Sequence, residues 1–161
     1  MMRRLCLLLL AACMQVATYA QRSLDFAEKF MGMYENDTTL KCVTVSPKMM
    51  EMMVKTFSEN RPENVTQAIA KLKSARIVTG RAEYYQKAEE LLNKNRRRFK
   101  AEKEYRNDEQ HGAFFTRKNR KGKTVEFIML HEEFEHDQFT IINLTGDIDD
   151  EFLCFLYNKS F

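Results

Sequence analysis

Residues 123–149, with the sequence KTVEFIMLHEEFEHDQFTIINLTGDID, decide the fold. Apolar and polar side chains alternate along this stretch on both sides of an acidic turn; the alternating apolar residues are Val125, Phe127, Met129, Phe139 and Ile141. A period of two residues is typical of β-strands. The stretch therefore predicts a hairpin of two long strands, followed by the entry to a final helix.

The rest of the chain supplies elements that can pack on this hairpin. Helical spacing of apolar residues predicts helices over residues 23–34, 47–57 and 82–93, with Ser23 capping the first, and a few helical turns over residues 65–72. Alternating or β-branched residues predict strands at 40–45, 77–78, 99–106 and 113–118. The order indicates an α+β fold with one mixed, mainly antiparallel sheet, a C-terminal four-strand meander and helices packed on it.

The final helix begins in an acidic segment. Asp147 and Asp149 follow Gly146, and carboxylates at a helix start accept hydrogen bonds from free backbone N–H groups and favour the helix dipole. Both aspartates are therefore predicted to cap this helix.

The first 20 residues have the features of a secretory signal peptide. Arg3 and Arg4 form a basic start, residues 5–14 form an apolar run, and Ala20 ends a segment of small residues that suits a signal peptidase. The apolar run is too short to span a membrane, which takes about 20 residues. We expect a signal peptide over residues 1–20 and a single exported domain over residues 21–161, located in the periplasm or cell envelope and without a transmembrane segment.

A lipid anchor is the alternative fate of the same segment. Residues 10–13, LAAC, have the form of a bacterial lipobox, in which Cys13 becomes the lipidated first residue of the mature chain. Cleavage there leaves a short apolar region, whereas cleavage after Ala20 leaves a polar segment before the cut. The sequence favours simple cleavage.

Charge argues against nucleic acid as a partner. The chain has 26 basic and 23 acidic residues, and loss of Arg3 and Arg4 with a signal peptide leaves a mature chain close to neutral. A balanced chain lacks the positive field of a nucleic-acid binder. The basic stretches at residues 96–100 and 117–123 are typical of solvated helix ends and hairpin tips.

Two cysteines, Cys42 and Cys154, remain outside the leader. In an oxidising compartment they can form one disulfide bridge, and buried free thiols are an equally ordinary outcome. The sequence leaves both possibilities open.

The acidic turn contains the densest set of potential metal ligands, with His131, Glu133 and His136 as candidates. The two histidines are five positions apart, whereas those of the helical zinc motif of metalloproteases are four positions apart. A metal-dependent hydrolase built on this turn is the alternative function. Phosphate-loop, dinucleotide-binding and nucleophile-elbow patterns are absent from the sequence, so no cofactor is expected.

The chain has more apolar residues than one hydrophobic core would bury, which indicates a contact surface. The predicted hairpin is apolar on both faces, and the second helix carries four methionines, at least two of which must point away from its packed face. The candidate binding residues are Ile128, Leu130, Met49 and Met52. The partner would be an envelope protein or a small ligand, and a homo-oligomer is possible by the same contacts.

Several segments resemble a known family: VTVSPKMMEMM (43–53), KLKSARIVTG (71–80), EYYQKAEELL (83–92), VEFIML (125–130) and INLTGDID (142–149). Together they are similar to small exported proteins of gut-type Gram-negative bacteria that are grouped as a domain of unknown function and are often labelled as lipoproteins or exported proteins. The resemblance covers nearly the whole mature chain, and its most specific element is LTGDID. It implies an exported protein and assigns no catalytic residue. The sequence favours a non-catalytic binding or interaction module.

Overall fold

The structure, a computed structural model, describes residues 24–57 and 63–159. The features that predict export or lipidation, among them Arg3, Arg4, Cys13 and Ala20, lie outside the described residues, as does the predicted cap Ser23. Within these ranges Asp25 caps the first helix, because its Oδ1 accepts the backbone N–H of Glu28 at 2.9 Å.

The described residues form five helices and six strands. The helices are α1 (Phe26–Met33), α2 (Pro47–Phe57), α3 (Glu63–Ala70), α4 (Glu83–Lys94) and α5 (Asp150–Lys159). The strands are β1 (Lys41–Val45), β2 (Leu72–Arg81), β3 (Lys100–Arg106), β4 (Gln110–Lys118), β5 (Thr124–Glu133) and β6 (Gln138–Ile148). No helix in these ranges is long and apolar enough to cross a membrane.

All six strands belong to one sheet with the order β1-β2-β6-β5-β4-β3. The predicted α+β class and the C-terminal meander of β3 to β6 are confirmed. Every pairing is antiparallel, so the sheet is not mixed. β2 is also much longer than the predicted strand at 77–78, because polar residues such as Ser74 and Arg76 interrupt its apolar pattern.

Helices cover both faces of the sheet. On the first face, Phe26 and Phe30 of α1 and Tyr84 and Leu92 of α4 pack on a core that includes Val78, Phe115, Ile128, Leu130, Phe139 and Ile141. On the second face, Met50, Val65 and Phe152 bring α2, α3 and α5 onto a core that includes Phe114, Phe127 and Leu144. The helices thus account for a hairpin that is apolar on both sides.

Cys42 and Cys154, the cysteines of the described ranges, are free and exposed on different elements. Cys42 lies on β1 opposite Val78, a core residue of the first face, whereas Cys154 lies on α5, which packs on the second face. The sheet therefore separates the two thiols, and no disulfide joins them.

The prediction that Asp147 and Asp149 both cap the last helix is half right. Asp149 Oδ1 accepts the backbone N–H of Phe152 at 2.9 Å, which is an N-cap bond. Asp147 is still part of β6 and lies 3.8 Å from the Lys123 ammonium. The strand runs further than its apolar pattern suggests, so only the second aspartate reaches the helix.

A polar cavity as candidate functional site

A row of polar residues crosses one end of the first sheet face. Ser74, Thr145, Glu126 and Arg117 occupy successive register positions on β2, β6, β5 and β4. Glu126 precedes the core residue Ile128 by two positions, so it shares the face that α1 and α4 cover. The apolar core of this face therefore ends in a polar row.

Glu126 is fully buried, and it bonds both to the start of α1 and to the neighbouring strands. Its Oε1 accepts the backbone N–H of Phe26 at 2.7 Å and the Asn143 amide at 3.2 Å. Its Oε2 accepts Arg117 Nε at 2.6 Å. Asn143 in turn accepts the N–H of Ala27 at 2.8 Å. A carboxylate at a helix start satisfies free N–H groups and favours the helix dipole, so this network fixes where α1 begins.

Arg76 links the same helix start to β2. One terminal nitrogen contacts Asp25, and the other lies 3.3 Å from Glu28 Oε2. Asp25 is largely buried and also caps α1, so one carboxylate serves both the helix and the arginine. Charge-assisted bonds of this kind hold a guanidinium in a defined orientation.

The strand pairing is irregular at this end of the sheet. The register shifts between Leu72 and Ser74 in the β2–β6 pair, between Thr124 and Glu126 in the β5–β6 pair, and between Arg117 and Lys118 in the β4–β5 pair. Gly146, with φ +149°, lies within the second of these shifts. β-bulges re-aim side chains and are enriched beside functional sites.

A cavity of about 570 Å³ opens at these irregularities, and we call it the polar cavity. Its lining residues are Asp25, Glu28, Lys73, Ser74, Arg76, Arg117, Val125, Thr145 and Gly146. The hydroxyls of Ser74 and Thr145 lie 2.7 Å apart across the strands. The volume is within the range of small-molecule sites, but the lining is far more polar than is usual for them.

The predicted metal residues of the acidic turn do not all come together. His136 Nδ1 lies 3.0 Å from Glu133 Oε1 in an exposed contact. His131 lies further back on β5, where its Nδ1 is 2.7 Å from the hydroxyl of Tyr105. The Tyr105 ring packs against Gly112. A Cβ atom added at Gly112 would lie 2.2 Å from that ring. The contact occupies the ring nitrogen Nδ1 of His131.

The predicted binding residues divide between core and surface. Ile128 and Leu130 have no exposed surface, since α1 and α4 cover their face, so they belong to the core and cannot line a partner surface. Met49 and Met52 are 52% and 60% exposed on α2.

The sequence patterns did not predict the polar cavity, because its lining residues are scattered over different segments. Asp25 and Glu28 lie in a predicted helix, Arg117 lies in a predicted strand, and residues 73–76 lie outside every predicted element. A signal is nevertheless present in the sequence. On β4, β5 and β6, every second residue belongs to the core of the first face until a polar residue takes the next position of that series. The polar residue is Arg117 after Ala113 and Phe115, Glu126 after Leu130 and Ile128, and Asn143 after Phe139 and Ile141. Three such series that end in polar residues indicate a shared polar end once the strand order is known.

Comparison with known proteins gives a family and one structural likeness. The chain matches the family model described as a domain of unknown function, DUF4252, over residues 34–153. No curated protein matches it. The crystal structure of the Saccharomyces cerevisiae Ran-binding protein Mog1p is similar at 16% identity and a TM-score of 0.31, over 63% of this chain and 61% of that one. A likeness at this TM-score supports no inference about function.

Proposed function

The chain belongs to the family DUF4252, whose description names no activity, and we propose that it is a non-catalytic binding module. In this proposal the polar cavity binds a small polar ligand through a carboxylate on that ligand. The observation that carries it is the convergence of three register shifts on one cavity lined by charged side chains.

Arg117 is the residue best suited to hold the ligand carboxylate. Its Nε is bound to the buried Glu126, which fixes the guanidinium plane, and its terminal nitrogens have no partner among the described residues. Terminal guanidinium nitrogens form two parallel hydrogen bonds with a carboxylate. A guanidinium fixed in advance loses little conformational entropy when the ligand binds.

Lys73 adds a second cation at the bulge of β2. It is exposed and lines the polar cavity beside Ser74. The bulge between Leu72 and Ser74 inserts this residue into the ladder, and an inserted residue changes the direction in which a side chain points.

The balance of charge favours a small ligand over a charged polymer. Three cations, Lys73, Arg76 and Arg117, are matched by Asp25, Glu28 and the underlying Glu126. Such a site exerts little long-range attraction and recognises its ligand by directed hydrogen bonds. Histidine and cysteine are absent from the described lining, and the Ser74 hydroxyl is paired with Thr145, so the cavity has no activated nucleophile.

A ligand screen with matched variants tests this function. Acetate, succinate, glutamate and citrate are added to the folded chain, and the melting temperature is measured before calorimetry of any hit. We expect at least one to stabilise the protein. Arg117→Lys keeps a positive charge beside Glu126 but removes the two terminal nitrogens that would bind the carboxylate, and Lys73→Ala removes the second cation. Both variants should therefore abolish the stabilisation by the ligand.

Lys118→Ala is the matched control, because Lys118 is exposed next to Arg117 and does not line the cavity. The proposal is wrong if none of the four compounds shifts the melting temperature, or if Lys118→Ala weakens binding as much as Arg117→Lys does.

We also propose that the module is exported. The basic start, the short apolar run and Ala20 support removal of residues 1–20. Mass spectrometry of the protein from the native envelope should find Gln21 as the first residue. A lipidated Cys13 at the N-terminus would instead place the module on a membrane surface.

A second candidate function is self-association through an apolar edge surface, formed by Val43, Ile77, Met49 and Met52. All four are 38–60% exposed, and Val43 pairs directly with Ile77. β1 is an edge strand of the sheet, and an edge strand can pair with a second copy of itself. Light scattering should give a dimer mass for the wild type and a monomer mass for Val43→Lys. A monomeric wild type would remove this candidate.

A further inference from the structure

Three side chains from separate elements converge at the other end of the first sheet face. Glu89 of α4, Glu104 of β3 and His111 of β4 place their potential ligand atoms within 4.8 Å of one another. His111 Nε2 lies 2.9 Å from Glu104 Oε1. In the described part of the chain, these residues and not the acidic turn form such a group of three.

The histidine of this group is buried and oriented. His111 is 7% exposed, and its ring lies 4.5 Å from the ring of Tyr85. Its Nδ1 lies 3.9 Å from Glu132 Oε2, on the side opposite Glu104. Histidines that bind metal through one nitrogen commonly direct the other at a carboxylate, which fixes the tautomer and the ring orientation.

Within the described ranges, the carboxylates around His111 lack matching cations. Glu89 forms no hydrogen bond or ion pair with a described residue, Glu104 pairs with His111 alone among them, and Glu132 only approaches His111 to 3.9 Å. Arg106 lines the neighbouring cavity, but its guanidinium lies over the Phe134 ring.

We propose that Glu89, Glu104 and His111 bind a divalent transition-metal ion, with zinc as the best fit. One imidazole and two carboxylates are a donor set that zinc accepts, and three protein ligands leave a fourth position for water or another ligand. Ligand atoms 2.0–2.1 Å from a tetrahedral zinc are about 3.3 Å apart, so the 2.9 Å contact must widen by only a few tenths of an ångström.

The surroundings give the ion a path from solvent and a neighbouring hydroxyl group. A cavity of about 420 Å³ is lined by Glu89, His111 and Glu132 and leads to the site. The Tyr85 hydroxyl, 3.4 Å from His111 Nε2, stands beside the proposed ion. A proton on His111 is the competing source of positive charge, since an imidazolium would also pair with Glu104 and Glu132.

Cobalt titration distinguishes the ion from the proton. The folded chain is stripped with a chelator and titrated with Co²⁺, whose visible absorption reports tetrahedral coordination, and Zn²⁺ is then added as a competitor. We expect one Co²⁺ per chain and full displacement by Zn²⁺. Glu89→Gln and Glu104→Gln should each weaken binding more than tenfold. Glu132→Gln should weaken it by about 10- to 100-fold, because Glu132 orients the His111 ring.

Two control variants make the result specific. Glu90→Gln alters the next residue on α4, which is exposed and pairs with Lys94, and it should leave binding unchanged. His136→Ala removes a ligand of the acidic turn and should also leave it unchanged. The proposal is overturned if the wild type binds no ion, if Glu104→Gln binds as the wild type does, or if His136→Ala abolishes binding.

Discussion

The middle and one end of the first sheet face both contain fully buried residues, but the middle is apolar and the end is polar. In the middle of the face, Ile128 and Leu130 are fully buried under α1 and α4 among apolar neighbours. At its end Glu126, two residues before Ile128 on the same strand, is also fully buried, but among N–H donors and Arg117. Complete burial therefore does not identify a hydrophobic core position in this protein.

The difference shows what each region does for the fold. The middle contributes stability in proportion to the apolar area that it removes from water. The polar end adds little net stability, because desolvation of the charges offsets their attraction, but it determines where α1 starts and how Arg117 is oriented. The first region makes the domain stable, and the second shapes the polar cavity.

The largest effect should come from Glu126→Ala. It leaves Arg117 partly buried without its carboxylate and removes an acceptor from the start of α1, and loss of one partner of a buried pair costs about 3–5 kcal/mol. Urea denaturation measures the loss. The double variant Glu126→Leu, Arg117→Leu should recover much of it, since a matched apolar pair is often neutral. If Glu126→Ala were as stable as the wild type, Arg117 and the start of α1 would not depend on the Glu126 carboxylate.

Leu130→Ala tests the middle of the face and should cost about 3 kcal/mol, the sum of lost transfer energy and a residual cavity. Unlike Glu126→Ala, it should leave ligand binding by the polar cavity intact in the folded fraction. The measurements are urea denaturation and calorimetry on the same sample. Lost binding at full folding would mean that the two regions are coupled.

Sequence predicted the apolar region well and the polar one poorly, for a physical reason. Period-two patterns predicted the strands of the meander. The hairpin that is apolar on both faces was taken to indicate a contact surface, whereas helices cover both faces. The predicted meander makes β4 and β5 neighbours but does not give their register, and Glu126 becomes a partner of Arg117 only in the register that the structure shows. Ile128 and Leu130 were misassigned to a contact surface because the helices that cover them, α1 and α4, are distant in sequence.

The two metal candidates show the same limit. The acidic turn was conspicuous because its ligands are close in sequence, yet the fold pairs His131 with Tyr105. Glu89, Glu104 and His111 were inconspicuous because each lies on a different element, although the fold brings them together. Sequence spacing finds local sites and misses those that tertiary packing assembles.

Gly146→Ala should have an intermediate effect, confined to the polar end. A Cβ there would lie 2.6 Å from the Lys71 carbonyl oxygen and 2.7 Å from Leu72 Cα, and φ is +149°. Backbone atoms cannot move aside as a flexible side chain can, so we expect a cost of about 1–3 kcal/mol. Thermal denaturation measures this cost, and ligand calorimetry should show a larger relative loss than for Leu130→Ala. An unchanged affinity would show that the bulge does not shape the cavity.

The smallest effects separate the two aspartates that follow Gly146. Asp149→Ala removes the cap of α5 and should cost about 1 kcal/mol at neutral pH, whereas Asp147→Ala breaks only an exposed 3.8 Å contact with Lys123 and should change stability by less than about 0.5 kcal/mol. Urea denaturation of both variants against the wild type measures the difference.

The pH dependence checks that the cap is the cause. The Phe152 N–H, followed by Lys71, holds the pKa of Asp149 below its ordinary value of 3.8. A carboxyl group whose pKa is lowered in the folded state contributes stability above its unfolded pKa and loses it as the pH falls through the folded value. The wild type and Asp149→Ala should therefore differ fully at pH 7 and converge below about pH 4. If Asp147→Ala instead lowered ligand affinity without a change in stability, the binding site would extend from the polar cavity along the end of β6.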